Sequence, residues 1–156
     1  MSHALKNISR FYNMIPSGIV HIGANSGQEV ADYKESAIRP VILVEPLEDP
    51  FRRLVASVAG EKDFFPIQAC LSNQSGREVE FHVASNGGQA SSYYAPGNHL
   101  DLYPQVKFDQ SIKLVTRTLD ELLSELSDLV DTSLLDYISL DTQGAELDIL
   151  RGASGS

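Results

Sequence analysis

The chain has 156 residues, 42% of them apolar, which predicts one domain over 1–156 with enough length to bury a real core. Twelve Lys and Arg against 21 Asp and Glu leave a net charge of −9 with no basic run, and neutralising a phosphate backbone needs clustered cations, so nucleic acid is excluded as a partner. The longest clear apolar run, Val41–Val44, is far short of the ~20 residues of a spanning helix; with no signal-peptide-like N-terminus and a lone cysteine, Cys70, a cytoplasmic protein without membrane insertion or disulfides is expected.

Leu5, Ile8, Phe11 and Tyr12 recur at helical spacing behind Ser2, a fitting N-cap, and predict a leading helix over 3–13. Gly18–Ile22 reads as a short strand, ends in the glycine turn Gly23–Gly27, and is followed by a weak helix from Gln28 to about Ala37. Pro40–Val44 is a second strand, nearly all β-branched or Leu, as suits a strand covered on both faces of a parallel sheet. The next helix is expected to start at Asp49 as N-cap with Pro50 in the first helical position, to show an apolar face of Phe51, Leu54, Val55 and Val58, and to end at Gly60. Phe64–Leu71 reads as one third strand. After the turn Asn73–Gly76, Arg77–Val83 alternates like a half-buried strand. Residues 86–110 lack periodicity, which marks a functional or disordered stretch. Ile112–Thr116 reads as a further strand, and Thr118–Glu121 has capping-box spacing ahead of Leu119, Leu122, Leu123 and Leu126. A last strand, Asp136–Leu140, leads into Asp141–Glu146 and a helix from Leu147 to about Arg151. Strands alternating with helices predict an α/β fold.

Two segments carry chemistry. In His21–Gly27 the glycines permit a sharp turn and close ligand approach, and the following helix start offers free N–H donors. A plain β–α turn has the same composition. Glu45 sharpens the reading, because an acidic residue at the end of the next strand can accept both hydroxyls of a ribose. The spacing Gly23-x-x-x-Gly27 departs from the G-x-G-x-x-G of dinucleotide sites, which disfavours a nicotinamide oxidoreductase, and no P-loop is present. A looser turn suits a nucleoside without phosphates, such as S-adenosylmethionine, whose sulfonium an acidic protein tolerates. The second segment, Asp141-Thr-Gln-Gly-Ala-Glu146, lies where ligands gather beyond the carboxyl ends of parallel strands; it also fits a helix N-terminus with Asp141 as N-cap.

Taken together, His21–Glu29, Val44-Glu45-Pro46, Ala69–Ser72 with Gly76, Ala90-Ser-Ser92, Thr118-Leu-Asp120 and Asp141–Glu146 with Leu150-Arg-Gly152 resemble, in order, the motifs of FkbM-type methyltransferases. The resemblance implies a Rossmann-like three-layer α/β sheet, mostly parallel, and S-adenosylmethionine-dependent O-methyl transfer to a hydroxyl of a sugar or natural product. It implies that Gly23, Asn25, Gly27, Glu29 and Glu45 bind the cofactor, with Leu71 and Ser72 near the adenine. His21, Asp141 and Gln143 would face the acceptor, His21 as orienting group or general base. A complete family member continues beyond the segment matching Leu150–Gly152, so the C-terminal strands are expected to be missing. The order 3-2-1-4 would then leave strand 4 as an edge, to be covered by a homodimer or another partner. A non-catalytic module, binding a nucleoside or pairing its exposed strand, is the alternative.

Among single residues, Cys70 is expected in the core, and His82 and His99 on the surface. Asp120, Asp141 and Glu146 have the chemistry for a hard cation, but no alternating carboxylate loop exists, so no metal site is assigned. The stretch Asn86–Gln110, with Ser91, Ser92, Tyr93, Tyr94, His99 and Tyr103, reads as an acceptor-binding lid.

Overall fold

A computed structural model describes residues 15–36, 38–85, 91–94 and 110–155. The helix expected over 3–13 and most of the stretch 86–110 lie outside them. The described residues divide into two compact units, one ending at Gln68 and resuming for Ser127–Leu140, the other built from Ala69–Leu126 and the residues from Asp141 onward.

The first unit is a parallel sheet with helices between its strands. Its elements are β1 (Gly18–Ile22), α1 (Val30–Ser36), β2 (Val41–Val44), α2 (Glu48–Ser57), β3 (Phe64–Ile67) and, after a long excursion, β7 (Leu135–Leu140). Strand order is β3-β2-β1-β7, every neighbour parallel. All residues of β1 and β2 are buried, apolar but for His21, as suits the interior strands of a parallel sheet. Ile19, Val41, Leu43, Val30, Tyr33, Leu54 and Phe64 form the core, each aliphatic side chain contributing roughly 1.5–3 kcal/mol on burial. Among the described residues the sheet ends at β7, which pairs there with β1 alone.

Helix α2 corrects the expected start. It begins at Glu48, not after an Asp49 cap; its N-cap is Leu47, which makes no side-chain cap bond. The backbone N–H of Leu47 is instead taken by Glu45, and Phe51 N–H donates to the Leu47 carbonyl, so the helix grows directly from the strand end. Pro50 lies in the first turn, where its missing N–H has no helical partner to lose.

The second unit holds β4 (Cys70–Leu71), β5 (Glu78–Val83), β6 (Gln110–Arg117), α3 (Leu119–Leu126) and α4 (Glu146–Arg151). Its sheet order is β4-β6-β5, with β5 antiparallel to β6 and β4 parallel to it. The strand expected over Phe64–Leu71 is therefore two strands in two sheets: β3 pairs with β2, β4 with β6. Thr116, fully buried, donates its hydroxyl to the carbonyls of Gln74 and Arg77 and pins the turn ahead of β5. Only half of the capping box forms. Thr118 Oγ1 accepts from Glu121 N–H, but the Thr118 N–H goes to Ser75 Oγ. Among the described residues no helix is long and apolar enough to cross a membrane, and no three His, Cys, Asp or Glu gather to hold a metal.

Candidate functional site

In the first unit the turn after β1 is tied to the end of β2. Gly23, Asn25 and Gly27 have φ of 85°, 45° and 83°, left-handed conformations that Gly and Asn tolerate best. The N–H groups of Gly23 and Ala24 both donate to the Val44 carbonyl, at 2.9 and 3.0 Å. Asn25 N–H then donates to Glu45 Oε2 at 3.0 Å, while Leu47 N–H donates to Oε1 at 2.9 Å. One carboxylate thus joins the glycine turn, the strand end and the start of α2.

Glu45 is 4% exposed. Burial pushes its carboxyl up to about 7, against the opposing pull of the two backbone N–H bonds and Arg53. A carboxylate has about four lone-pair sites, and among the described residues two of them accept from backbone amides.

The glycines differ in what they do. A Cβ on Gly27 would lie 2.6 Å from Ser57 Oγ, 2.9 Å from Val30 and 3.0 Å from Leu54, so this glycine lets the turn pack against α2. Asn25 braces the turn, its Oδ1 accepting from Ser26 N–H at 2.8 Å and Gln28 Nε2 at 3.4 Å. Glu29 precedes α1 and accepts there from Tyr33 N–H through its carbonyl.

His21 is buried within the sheet, level with Leu43 on one side and Ser139 on the other. Its Nδ1 is 3.0 Å from Tyr33 Oη, with the rings edge to face at 5.9 Å. Burial first, then the charge of Glu29, raises the Tyr33 hydroxyl far above its ordinary range, and Ser139 bonds to it as well. Sequence reading missed Tyr33; the signal was a tyrosine at i+3 from Val30 on a buried helix face, where a hydroxyl must find a partner.

In the second unit Asp141–Glu146 forms another left-handed turn, with φ of 54° at Gln143 and 105° at Gly144. Asp141 is not an N-cap; that position is Ala145. Glu146 Oε1 accepts from Thr142 N–H at 3.1 Å, and Oε2 from Gly144 N–H at 2.9 Å. Burial alone would raise the Glu146 carboxyl, but these backbone bonds outweigh it and hold it below its ordinary value. Gln143 Nε2 donates to Asp141 Oδ1 at 2.7 Å, both residues facing solvent.

Leu71 and Ser72 belong to this unit, both buried at the end of β4. Ser72 N–H donates to the Arg117 carbonyl at 2.8 Å, and its Oγ is 3.2 Å from Tyr93 Oη. A Cβ on Gly152 would strike the Ser72 carbonyl oxygen, so Gly152 belongs to this packing. Of the lid expected over Asn86–Gln110, residues 91–94 and Gln110 are described: Gln110 opens β6, Ser91 and Ser92 are buried, and Tyr93 stacks on Tyr94 with centroids 4.9 Å apart.

The match of this chain to known proteins agrees with the geometry. Residues 21–156 match the methyltransferase FkbM domain. Over 143 residues the chain is 29% identical to the 2-O-methyltransferase NoeI of Sinorhizobium fredii (strain NBRC 101917 / NGR234), an alignment covering 86% of this chain and 56% of that protein. The chain thus spans about half the length of this relative. No solved structure matches. With the matched domain taking in both turns and every strand after β1, the chain belongs to the FkbM methyltransferase family.

Proposed function

We propose that this chain is the cofactor-binding part of an S-adenosylmethionine-dependent O-methyltransferase acting on a hydroxyl of a sugar or natural-product acceptor. The observation that carries the reading is Glu45: a buried carboxylate at the end of β2, fastened to the Gly23–Gly27 turn, with two acceptor positions unused by the amides of the described residues. Those positions fit the two hydroxyls of a ribose, and the turn places backbone rather than side chain beside it. Gly23, Asn25, Gly27 and Glu29 are the first unit's candidates for binding the cofactor, and Leu71 and Ser72 are the second unit's. When bound, the cofactor supplies an electrophilic methyl on a sulfonium.

The chain's own residues supply position and proton handling, and position accounts for most of the rate in such displacements. Tyr33 Oη and His21 Nδ1 share a hydrogen bond at 3.0 Å that fixes the orientation of the imidazole. His21, at the end of β1, would orient the acceptor or serve as its general base. Asp141, whose Oδ1 accepts from the Gln143 amide, is the second unit's candidate for taking the hydroxyl proton. A cytoplasmic location fits the lone, buried Cys70.

Calorimetry with S-adenosylhomocysteine tests the reading. The folded chain is expected to bind it, and Glu45→Ala to weaken it at least tenfold by losing charge-assisted bonds. Unchanged affinity in the variant would remove Glu45 from the site. The second reading, a binding or strand-pairing module, is favoured by β7, whose outer side pairs with nothing among the described residues. A concentration-dependent dimer that substitutions in β7 abolish, in a chain that transfers no methyl group, would establish it.

A further inference from the structure

Tyr94 is the only exposed aromatic side chain among the described residues, at 44% exposure, yet its ring is held on several sides. It stacks on Tyr93 at an interplanar angle of 38°. Its hydroxyl donates to Asp148 Oδ2 at 2.6 Å, and that carboxylate is itself held by Asn73 Nδ2 at 3.2 Å and Arg151 Nη1 at 3.3 Å. Its backbone N–H donates to Ser92 Oγ at 3.2 Å.

Freezing a ring while leaving it in water spends side-chain freedom without the full gain of burial. A flat apolar surface prepared in advance lowers the ordering cost of a ligand that stacks on it. The surroundings say what kind. A Cβ on Gly144 would lie 3.9 Å from Tyr94 Cδ2, so the ring borders the Asp141–Glu146 turn. That turn carries the exposed amide of Gln143 and carboxylate of Asp141, and it is held in a left-handed conformation that a non-glycine residue adopts only under restraint. An apolar face edged by an amide and a carboxylate matches a pyranose, which has C–H bonds on its ring faces and hydroxyls around its rim.

We propose that Tyr94 is a specificity-determining platform on which a pyranose ring of the acceptor stacks, with Gln143 and Asp141 bonding its hydroxyls. The inference rests on the methyltransferase reading and names the acceptor class and the residue that selects it. Tyr94 is a positioning residue and takes no part in the proton step.

Saturation-transfer NMR on the whole chain with methyl β-D-glucopyranoside, methyl α-D-mannopyranoside and methyl β-D-galactopyranoside tests it without turnover. At least one glycoside is expected to bind, with saturation strongest on the protons of one ring face. Its Kd should rise at least tenfold in Tyr94→Ala and less than threefold in Tyr94→Phe or Tyr94→Trp, which keep the ring but lose the Asp148 bond. S-adenosylhomocysteine affinity should stay unchanged in all three. Glycoside binding indifferent to Tyr94→Ala, equal loss in the Ala and Phe variants, or no glycoside bound by a chain that binds S-adenosylhomocysteine would overturn the platform alone. A folded chain that fails to bind S-adenosylhomocysteine would overturn the methyltransferase reading, and the platform with it.

Discussion

The turns after β1 and β7 use one device with opposite electrostatic results. Each follows a parallel strand, passes through left-handed residues and is braced by a glutamate that accepts backbone N–H groups: Glu45 from Asn25 and Leu47, Glu146 from Thr142 and Gly144. At Glu45 desolvation wins and the carboxyl rises to about 7; at Glu146, closer to water, the hydrogen bonds win and it falls. Identical bonding therefore does not fix a carboxylate's charge. How much water the site has lost decides it. A nearly dehydrated acceptor is suited to a ligand that brings its own donors, whereas an ionised clasp on the surface is suited to holding a turn in shape.

The glycines offer the strongest way to break the comparison. Gly27→Ala adds overpacking against Ser57, Val30 and Leu54 to the strain of a left-handed alanine, about 3 kcal/mol in all by chemical denaturation. Gly144→Ala meets only Tyr94 at ordinary contact distance and should cost about 1 kcal/mol. Equal losses would mean that the packing of the first turn against α2 contributes nothing.

Acid and base sharpen the contrast. Glu45 has a folded pKa above its ordinary 4.5, so the folded chain holds a proton that the unfolded chain has released. Its contribution to stability is present below pH 4.5 and is lost as pH rises to about 7, on the order of 3 kcal/mol across that window. Glu146, with a lowered folded pKa, stabilises above its ordinary 4.5 and loses that contribution as pH falls through its depressed folded value. Denaturation midpoints against pH should therefore flatten between pH 4.5 and about 7 in Glu45→Gln and below pH 4.5 in Glu146→Gln. The same direction of change in both variants would end the contrast.

An effect as small as that of Gly144→Ala is expected at Tyr33→Phe. Losing the hydroxyl between His21 and Ser139 should cost about 1 kcal/mol. Nitrogen-15 NMR should show the His21 tautomer balance change; an unchanged balance would mean that Tyr33 does not set it.

Much of the first unit was legible because its signals are local. The β-branched run Val41–Val44, the glycines of Gly23–Gly27 and Glu45 at a strand end all report constraints set within a few residues. The second unit was less legible. Cys70–Leu71 continues the apolar pattern of Phe64–Ile67, yet its partner is β6, 46 residues away from Cys70 at Thr116. The turn Asp141–Glu146 stood out as polar, but its clasp by Glu146 and the neighbouring Tyr94 ring depend on chain reversals that no periodicity records.

The sequence by itself determined the alternation of strands and helices, the family motifs and the pairing of a glycine turn with an acidic strand end. These follow from side-chain period, backbone freedom and charge along a short stretch of chain. Only the tertiary structure decided that β3 and β4 part into different sheets, that Tyr33 holds His21, that Gly27 serves packing and that Glu45 has lost nearly all its water. Each of those depends on which distant surface arrives to cover a residue, and burial is a property of the neighbours that arrive.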